Sequence, residues 1–161
     1  MEMLQNIYAS KPIRGLQPEP GLLSAPRFAC VTTSTIHLYP WVEVDPYYAC
    51  TWLLPGAGAY YLAGSSYIFL CPLFWSSEPA PTRENCPRVI HNRFVGDGAL
   101  LSDYKTYILI HEMVHFYLGA TSLTQSSFPA EKYQLNECVA LDRDNSLLNP
   151  SNYHFYIASK S

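Results

Sequence analysis

The segment YKTYILIHEMVHFYLGAT, residues 104–121, constrains the fold more than any other part of the chain. It contains no proline, and its one glycine, Gly119, stands where a helix would end. Ser102 suits the N-cap position, and Asp103 suits the positive end of the helix dipole. We therefore predict that residues 101–118 form the main helix of the fold.

Both histidines of this segment lie on one stripe of the predicted helix, because consecutive residues turn by about 100°. Two imidazoles one turn apart can bind one metal ion through their ring nitrogens. Glu112, displaced sideways by one residue, can lie beside the metal-bound water and take its proton. The alternative is a buried helix that happens to carry two imidazoles. Because three ionisable groups buried without a partner would be costly, the pattern favours a zinc site. The stripe consists of Tyr104, Ile108, His111 and His115.

The composition describes a folded globular chain and argues against two classes of partner. At 161 residues the chain fits one domain with a sizeable core, and 48% of its residues are hydrophobic against 14% charged. The net charge is −3 and no cluster of Lys and Arg occurs, which argues against a nucleic-acid surface. The longest apolar stretch, near YIFLCPLFW, is far too short to span a membrane.

The cysteine pattern indicates disulfides rather than a cysteine-bound metal. No two of the five cysteines form a Cys-x-x-Cys pair, which argues against a structural zinc knuckle. Disulfides in an oxidising compartment, with one cysteine left over, are typical of a secreted protein. The N-terminus MEMLQNIYASKPIRGLQPEP nevertheless lacks the apolar core of a signal peptide, so we expect a fragment or an incomplete gene product.

Proline content and hydrophobic patterning divide the chain into two parts. Residues 1–45 are rich in proline, and we expect a poorly organised N-terminal segment or an edge element formed by the β-type stretch FACVTTSTIHLY. Residues 46–161 form the predicted domain. Within it, residues 57–75 are predicted to form a hairpin, in which AYYLA and SYIFL are joined by a Gly-Ser turn. The stretch SSEPAPTRENCPRV that follows is predicted to be a loop, because its prolines forbid a helix.

Two further helices are predicted after the main helix. Residues 133–143 form one of them, and the last helix begins with Pro150 in its first turn. The predicted fold class is therefore α+β, with a small antiparallel sheet or hairpin packed on the helix that carries the two histidines. Further helices follow this unit.

These segments together resemble a known family. HEMVHF followed by LGAT, with SYIFLCPLFW upstream and NPSNYHFYIAS downstream, is similar to the deuterolysin family of fungal zinc endopeptidases, the aspzincins, which include the peptidyl-Lys metalloendopeptidases. The resemblance covers about residues 48–159. It implies a zincin-like domain, secretion and zinc-dependent peptide hydrolysis, with His111 and His115 as zinc ligands and Glu112 as the general base. The helical N-terminal portion expected of the family is not visible here, which again indicates truncation.

The resemblance also implies roles for residues outside the histidine helix. Tyr133 lies five residues before Cys138, as the second tyrosine of the family's Tyr-x-Tyr-Gly segment does, so its phenol could support the oxyanion of the tetrahedral intermediate. The alternative is a buried tyrosine with a satisfied hydroxyl. The closing segment NPSNY replaces the usual NADNY or NADSY, and its Asn149, Asn152 and Tyr153 are expected to brace the site.

The resemblance further implies one disulfide. Cys50 and Cys71 lie on either side of the hairpin, in positions that resemble a family disulfide. Cys86 and Cys138 are then expected to pair with each other, which leaves Cys30 free. The sequence alone does not determine this connectivity.

The chain departs from the family pattern at the third zinc ligand. That ligand is the Asp of a Gly-Thr-x-Asp segment, whereas no Asp occurs between His115 and Asp142. A catalytic zinc ion normally has three protein ligands, so a carboxylate must come from elsewhere. Our first candidate is Glu131, since it lies in a loop that must return toward the helix, and Glu137 and Asp142 are the second and third. The alternative for each is a solvated surface carboxylate.

The sequence therefore predicts a monomeric zinc metalloendopeptidase that acts on a peptide or protein substrate, bound as an extra strand along AYYLA or SYIFL. The alternative is a secreted zincin-fold protein that has lost its third ligand and only binds a metal or a surface. Retention of Glu112 argues against this alternative, and loss of the Asp argues for it. The remaining histidines lack a partner at ligand spacing and are expected at the surface or in hydrogen bonds. They are His37, His91 and His154.

Overall fold

The computed structural model describes residues 25–33, 38–80, 88–90, 93–95, 101 and 103–158. In this part of the chain the fold is mixed α and β, with a three-stranded sheet, a separate pair of strands and several helices. None of the described helices is long and apolar enough to cross a membrane. The described residues do not include residues 1–24, His37, Cys86, His91 or Ser102, on which the sequence also places predictions.

The three-stranded sheet forms from two neighbouring strands and one distant strand. β2 (Ala59–Tyr61) and β3 (Tyr67–Leu70) pair antiparallel, which confirms the predicted hairpin. Its predicted extent to residue 75 is wrong, because a helix begins at Pro72. β1 (Arg27–Cys30) pairs parallel with β3, so the prediction of a purely antiparallel sheet is wrong. The long connection from β1 to β3 permits this pairing, because parallel strands need a crossover of about a dozen residues or more.

The strand order β1–β3–β2 makes β3 the central strand and leaves β1 and β2 at the edges. SYIFL contains β3, whose two sides are both occupied, so the prediction that a substrate strand could add there is wrong. AYYLA contains the edge strand β2 and stays consistent with that prediction. β1 supplies the edge element expected from the N-terminal stretch, and its Ala29 is buried.

A second, two-stranded sheet begins at the end of the stretch SSEPAPTRENCPRV, which is predicted to be a loop. β4 (Arg88–Ile90) and β5 (Arg93–Val95) pair antiparallel. The predicted loop therefore ends two residues too late. Its prolines exclude a helix, as argued, but they do not exclude an extended segment.

Short helical segments flank the sheet and are joined to it by a disulfide. α1 (Pro46–Tyr48) continues into a π-helical turn (Ala49–Leu53), and α2 (Pro72–Ser76) follows β3 directly. Cys50 and Cys71 form a disulfide, as the resemblance implies. The bridge ties the π-helical turn to the end of β3 and lies in a buried apolar layer on one face of the sheet.

α3 (Lys105–Leu118) carries both histidines and starts later than predicted. Tyr104, the residue before it, is extended and forms a bridge with Glu78. The backbone N–H of Lys105 donates to the Glu78 carbonyl oxygen at 2.8 Å, and the next N–H donates to the following carbonyl at 3.1 Å. These carbonyls satisfy the first N–H groups of the helix, and the N-cap position lies at Tyr104, later than predicted.

Gly119 ends α3, and this predicted end is confirmed. Its φ of +55° is a positive value that glycine adopts without the steric cost of a Cβ atom. A 3₁₀ turn (Gly119–Thr121) follows. The turn folds the chain back onto the helix, because the next residue, Ser122, contacts His115.

Two short helices replace the single helix predicted over residues 133–143, which is wrong in its extent. They are α4 (Leu135–Ala140) and α5 (Arg143–Leu148). Asp142 separates them, because its side chain accepts the backbone N–H of Asn145 at 2.9 Å and caps α5.

α3 lies between the sheet and α6 (Pro150–Ala158), which begins at Pro150 as predicted. On the sheet side, Gly58 approaches the helix so closely that a Cβ atom there would lie 2.6 Å from Cδ1 of Ile108. The layer between α3 and the sheet contains Ala59, Ile68, Leu70, Phe74, Ile108 and Phe116. The layer toward α6 contains Leu101, Tyr107, Cys138, Phe155 and Ala158.

Cys138 is a free, buried thiol in this second layer, so its predicted pairing with Cys86 is wrong. The sulfur is already engaged by polar partners, because it donates to the Lys132 carbonyl oxygen and accepts from the Asn149 amide, both at 3.4 Å. Burial raises the pKa of this thiol to about 12. Cys30 is also free, as expected.

Candidate metal centre

The regular spacing of α3 brings His111 and His115 side by side. The centroids of the two rings lie 4.9 Å apart, with their planes 72° to each other. His111 is buried and His115 is partly buried. Glu112, the neighbour of His111, is buried as well, so the polar face of the helix is turned into the protein.

Glu131 meets both imidazoles. Its Oε1 lies 2.7 Å from Nε2 of His111 and 3.3 Å from Nε2 of His115. These ligand atoms all lie within 4.8 Å of one another, and all three residues are enclosed. Of the three carboxylates considered from the sequence, the structure brings only this one to the histidines. Glu137 is exposed in the first turn of α4, and Asp142 is the exposed cap of α5.

The loop that carries Glu131 is anchored on both sides of this residue. The backbone N–H of Glu131 donates to the Thr124 carbonyl oxygen at 3.0 Å. The next residue, Lys132, donates its N–H to Oδ1 of Asn149 and accepts from Nδ2 of Asn149, each at 3.0 Å. Asn149 is fully buried. The amide therefore holds the loop against the start of α6, in agreement with the bracing role expected of it.

Tyr133 contacts two of the three clustered residues. Its ring stacks on the His111 ring with centroids 5.6 Å apart, and its hydroxyl donates to Oε2 of Glu131 at 2.7 Å. Tyr133 is 40% exposed, so it is not the buried tyrosine of the alternative, but its partial burial and then the charge of Glu131 raise its pKa well above its usual value, and the hydroxyl stays a donor. The contact occupies one oxygen of Glu131 and leaves Oε1 facing the histidines. The predicted oxyanion role of this phenol stays a prediction.

Two serine hydroxyls, which the sequence did not indicate, contact the Nδ1 atoms of the histidines. The Ser122 Oγ lies 3.0 Å from Nδ1 of His115. The Ser151 Oγ lies 3.4 Å from Nδ1 of His111. Both serines are buried, and no spacing rule in the sequence points to them, since one follows the 3₁₀ turn and the other lies on α6.

His154 differs from its prediction. It is 2% exposed, and neither ring nitrogen has a hydrogen-bond partner among the described residues, so the expectation of a surface or hydrogen-bonded imidazole is wrong for this part of the chain. The helical period of α6 turns it inward, where its ring lies 4.6 Å from that of Phe155 and 6.0 Å from that of His111. Burial, followed by the charge of His111, lowers its pKa to about 3. This histidine is therefore neutral and contributes an aromatic ring to the wall behind His111.

The charges of the cluster favour an ion pair. Burial alone would raise the pKa of Glu131, but its contacts with His111 and His115 outweigh burial and lower it to about 2. Burial alone would lower the pKa of His111, but its contact with Glu131 and the charges of Glu112 and Glu131 raise it. The carboxylate is therefore ionised at neutral pH, as a metal ligand must be.

Glu112 has a different environment from Glu131. Its Oε2 accepts the backbone N–H of Tyr61, at the end of the edge strand β2, at 2.7 Å. Burial raises its pKa, and the charges of His111 and His115 offset this effect only in part. The side chain thus lies between α3 and the sheet edge, with a pKa displaced toward neutrality.

Two imidazole nitrogens and one carboxylate oxygen are a donor set that could hold a metal ion. In a tetrahedral zinc site with ligand distances of about 2.0–2.1 Å, neighbouring ligand atoms lie about 3.3 Å apart. The 3.3 Å between Glu131 and His115 agrees with this value, whereas the 2.7 Å to His111 is shorter. Oε1 of Glu131 is buried and receives no well-directed hydrogen bond from either ring, although both nitrogens are close. A cation is a suitable partner for such an acceptor.

Comparison with protein-family models, with curated proteins and with solved structures found no match to this chain. Any statement about its function therefore depends on its own residues. The described residues bring together a buried group of two imidazoles and one carboxylate that could hold a metal ion.

Proposed function

We propose that this protein is a zinc-dependent metalloendopeptidase of the zincin type, a divergent relative of the deuterolysin family. One observation carries the proposal: Nε2 of His111, Nε2 of His115 and Oε1 of Glu131 converge in an enclosed site. Two imidazoles and a carboxylate are a ligand set used by catalytic zinc sites, which keep a fourth position open. The disulfide between Cys50 and Cys71 agrees with an oxidising compartment and hence with secretion.

Each ligand has a neighbour that orients it toward this point. His111 is held by the stacked ring of Tyr133, and Glu131 by the hydroxyl of the same tyrosine. His115 contacts Ser122 through its outer nitrogen. His111, His115 and Glu131 would hold a zinc ion here, which would supply a Lewis acid for a scissile carbonyl and for a water molecule. The residues of the chain then have to bind the peptide, exclude bulk water and accept the proton.

Glu112 is the proposed general base. It lies one residue from the first ligand on the same helix, and burial raises its pKa toward the range in which a carboxylate accepts a proton efficiently. Because Oε2 is held by the N–H of Tyr61, the proton goes to the other carboxylate oxygen. The same N–H bond fixes the side chain, so that little reorganisation is needed when the proton moves.

An extended peptide is the proposed substrate. β2 is an edge strand of the described sheet, and its last residue, Tyr61, contacts Glu112. A peptide that pairs with the outer side of β2 would therefore run beside Glu112, which already accepts the N–H of Tyr61 at this edge. The protein acts as a monomer in this proposal, since every proposed site residue comes from one chain.

A second candidate function is metal binding without catalysis. The observation in its favour is that Glu112 is 8% exposed and already accepts a backbone N–H. If this contact is permanent, the carboxylate is a structural acceptor, and the site only holds the ion. The two functions share the metal centre and differ in what Glu112 does.

Hydrolysis of an unfolded protein substrate by the zinc-loaded protein separates the two functions. For Glu112→Gln we expect zinc to be retained and the rate to fall by about 10²–10⁴-fold, because the amide keeps the shape but cannot accept a proton. Glu137→Gln, a change at an exposed glutamate of α4, is the matched control and should keep the full rate.

Three results would count against parts of this proposal. Equal rates for wild type and Glu112→Gln would exclude the assigned base. Stoichiometric zinc without any hydrolysis by the wild type would favour the binding function. A wild type that binds no zinc at micromolar metal and neutral pH would exclude both.

A further inference from the structure

We infer that Ser122 is a positioning residue that keeps the proton of the His115 ring on Nδ1, so that Nε2 is left free to bind the metal. This inference rests on the proposed zinc site. It assigns a role to a residue that lies seven positions beyond His115 and carries no charge.

The position of Ser122 follows from the way α3 ends. Gly119 adopts a positive φ, and the 3₁₀ turn (Gly119–Thr121) folds the chain back onto the last turn of the helix. Ser122 then points inward and is 7% exposed. Its Oγ lies 3.0 Å from Nδ1 of His115 and 3.0 Å from the carbonyl oxygen of Gly119.

The direction of the two hydrogen bonds follows from the number of protons. A serine hydroxyl has one proton to donate and two lone pairs that accept. The Gly119 carbonyl oxygen can only accept, so the hydroxyl proton goes to it. This carbonyl also accepts the backbone N–H of Ser122 at 3.2 Å, and its two lone pairs accommodate both donors. The contact between Oγ and Nδ1 must then use a proton on Nδ1.

The consequence lies at the other nitrogen of the ring. A neutral imidazole carries one proton, so a proton on Nδ1 leaves a lone pair on Nε2. Nε2 of His115 is the atom that faces Oε1 of Glu131. Ser122 therefore selects the tautomer that a metal ion at this point requires, and it fixes the ring plane at the same time.

His111 does not depend on its serine to the same degree. Its contact with Ser151 is longer, at 3.4 Å, and its ring is held by stacking on Tyr133. His115 has the shorter hydrogen bond and no such stacked partner among the described ring contacts. Loss of the hydroxyl should therefore weaken zinc binding more at Ser122 than at Ser151.

The test compares zinc affinity and ring protonation in three variants. Ser122→Ala removes the acceptor, Ser122→Thr restores a hydroxyl, and Ser146→Ala is the matched control. The Ser146 hydroxyl donates to the carbonyl three residues earlier, as the Ser122 hydroxyl does, but no imidazole in the described part of the chain contacts it. Zinc dissociation constants come from competition with a chelator. Nitrogen-15 NMR of zinc-loaded protein reports which nitrogen of His115 holds the metal and how fast the proton on the other nitrogen exchanges with water.

In wild type we expect zinc on Nε2 of His115 and a slowly exchanging proton on Nδ1. Ser122→Ala should bind zinc about 10-fold more weakly or worse, within the 10–100-fold range for lost outer partners, and its Nδ1 proton should exchange faster. Ser122→Thr should restore the zinc affinity and the slow exchange of the Nδ1 proton, and Ser146→Ala should leave both quantities unchanged.

The inference is overturned if Ser122→Ala keeps the wild-type zinc affinity and the slow exchange. It is also overturned if the wild-type spectrum shows zinc on Nδ1 of His115, a result that needs no substitution and no folding control. Both results leave zinc binding, and so the proposed function, in place, although the second would move the ligand atom of His115 from Nε2 to Nδ1. Absence of zinc from the wild type would instead exclude the proposed function, and this inference with it.

Discussion

The candidate metal centre consists of two halves that are built differently. The helical half, on α3, carries His111, Glu112 and His115, whose relative positions follow from local hydrogen bonds within one helix. The loop half, residues 122–134, carries Ser122 and Glu131. It contains no regular element, and Lys132 is held by Asn149, which is 17 residues away in the sequence. Local geometry therefore sets two ligands, whereas tertiary contacts set the third.

The difference has a consequence for metal binding. Removing a helical ligand deletes an imidazole from a preformed pair. Removing the loop ligand deletes a carboxylate and also releases the contacts between the loop and the helix, because Tyr133 and both histidines meet at Glu131. Substitution of each ligand, together with measurements at several pH values, distinguishes the contributions of the two halves.

The largest effect is expected for the helical half. His111→Ala or His115→Ala should weaken zinc binding by at least about a hundredfold, beyond the 10–100-fold loss caused by removing an outer partner. Equilibrium dialysis against micromolar zinc measures this directly. Tyr117→Ala, at an exposed residue of the same helix, is the control and should bind zinc as wild type does. Retention of wild-type affinity by either histidine variant would exclude that residue as a ligand.

A smaller effect is expected for the loop half, because the preformed pair of imidazoles on α3 stays in place when Glu131 is lost. Glu131→Ala should weaken zinc binding by at least about tenfold, since even an outer partner contributes that much. Glu137→Ala should leave the affinity nearly unchanged, because this glutamate is exposed on α4 and is not part of the cluster. If Glu137→Ala weakened zinc binding more than Glu131→Ala did, another carboxylate would complete the site.

The sequence predicts the helical half of the site well. The stripe of His111 and His115 and the end at Gly119 depend on spacing within one helix, and α3 has both features. The start of the helix was not predictable, because Tyr104 bridges to Glu78, a residue far from it in the chain. The parallel pairing of β1 with β3 was missed for the same reason, since no local pattern encodes which distant strand is the neighbour.

The loop half was predictable only in part. Glu131 could be ranked first because its loop had to return to the helix, and the structure brings it to both imidazoles. Ser122 and Ser151 gave no signal, because a serine is an ordinary residue in a turn or a first helical turn. The free thiol of Cys138 was mispredicted, since its polar contacts with Lys132 and Asn149 exist only in the folded chain.

The smallest expected effect concerns the ion pair that joins the halves in metal-free protein. The pKa of Glu131 is lowered to about 2, so its contribution to the free energy of unfolding is present above its unfolded value of 4.5 and is lost as the pH falls toward 2. The pKa of His111 is raised, so its contribution is present below its unfolded value of 6.5 and is lost as the pH rises through the raised pKa.

The two windows overlap between about pH 4.5 and 6.5. In this range, and with a chelator present, wild type should exceed Glu131→Gln in free energy of unfolding by the largest margin, on the order of 1 kcal/mol. Urea denaturation at several pH values measures the margin, and Glu137→Gln serves as the control. A margin that stays constant from pH 3 to 8 would show that Glu131 and His111 do not form an ion pair.

X-ray absorption at the zinc edge, on protein loaded with one equivalent of zinc, tests the central claim most directly. The account predicts a zinc ion bound by two imidazole nitrogens and by oxygen at distances of about 2.0–2.2 Å, and by no sulfur. The imidazole signal should be lost in the double variant His111→Ala, His115→Ala. A sulfur ligand at about 2.3 Å would place the metal at a cysteine such as Cys30 or Cys138, which are free in the structure, and would contradict the account.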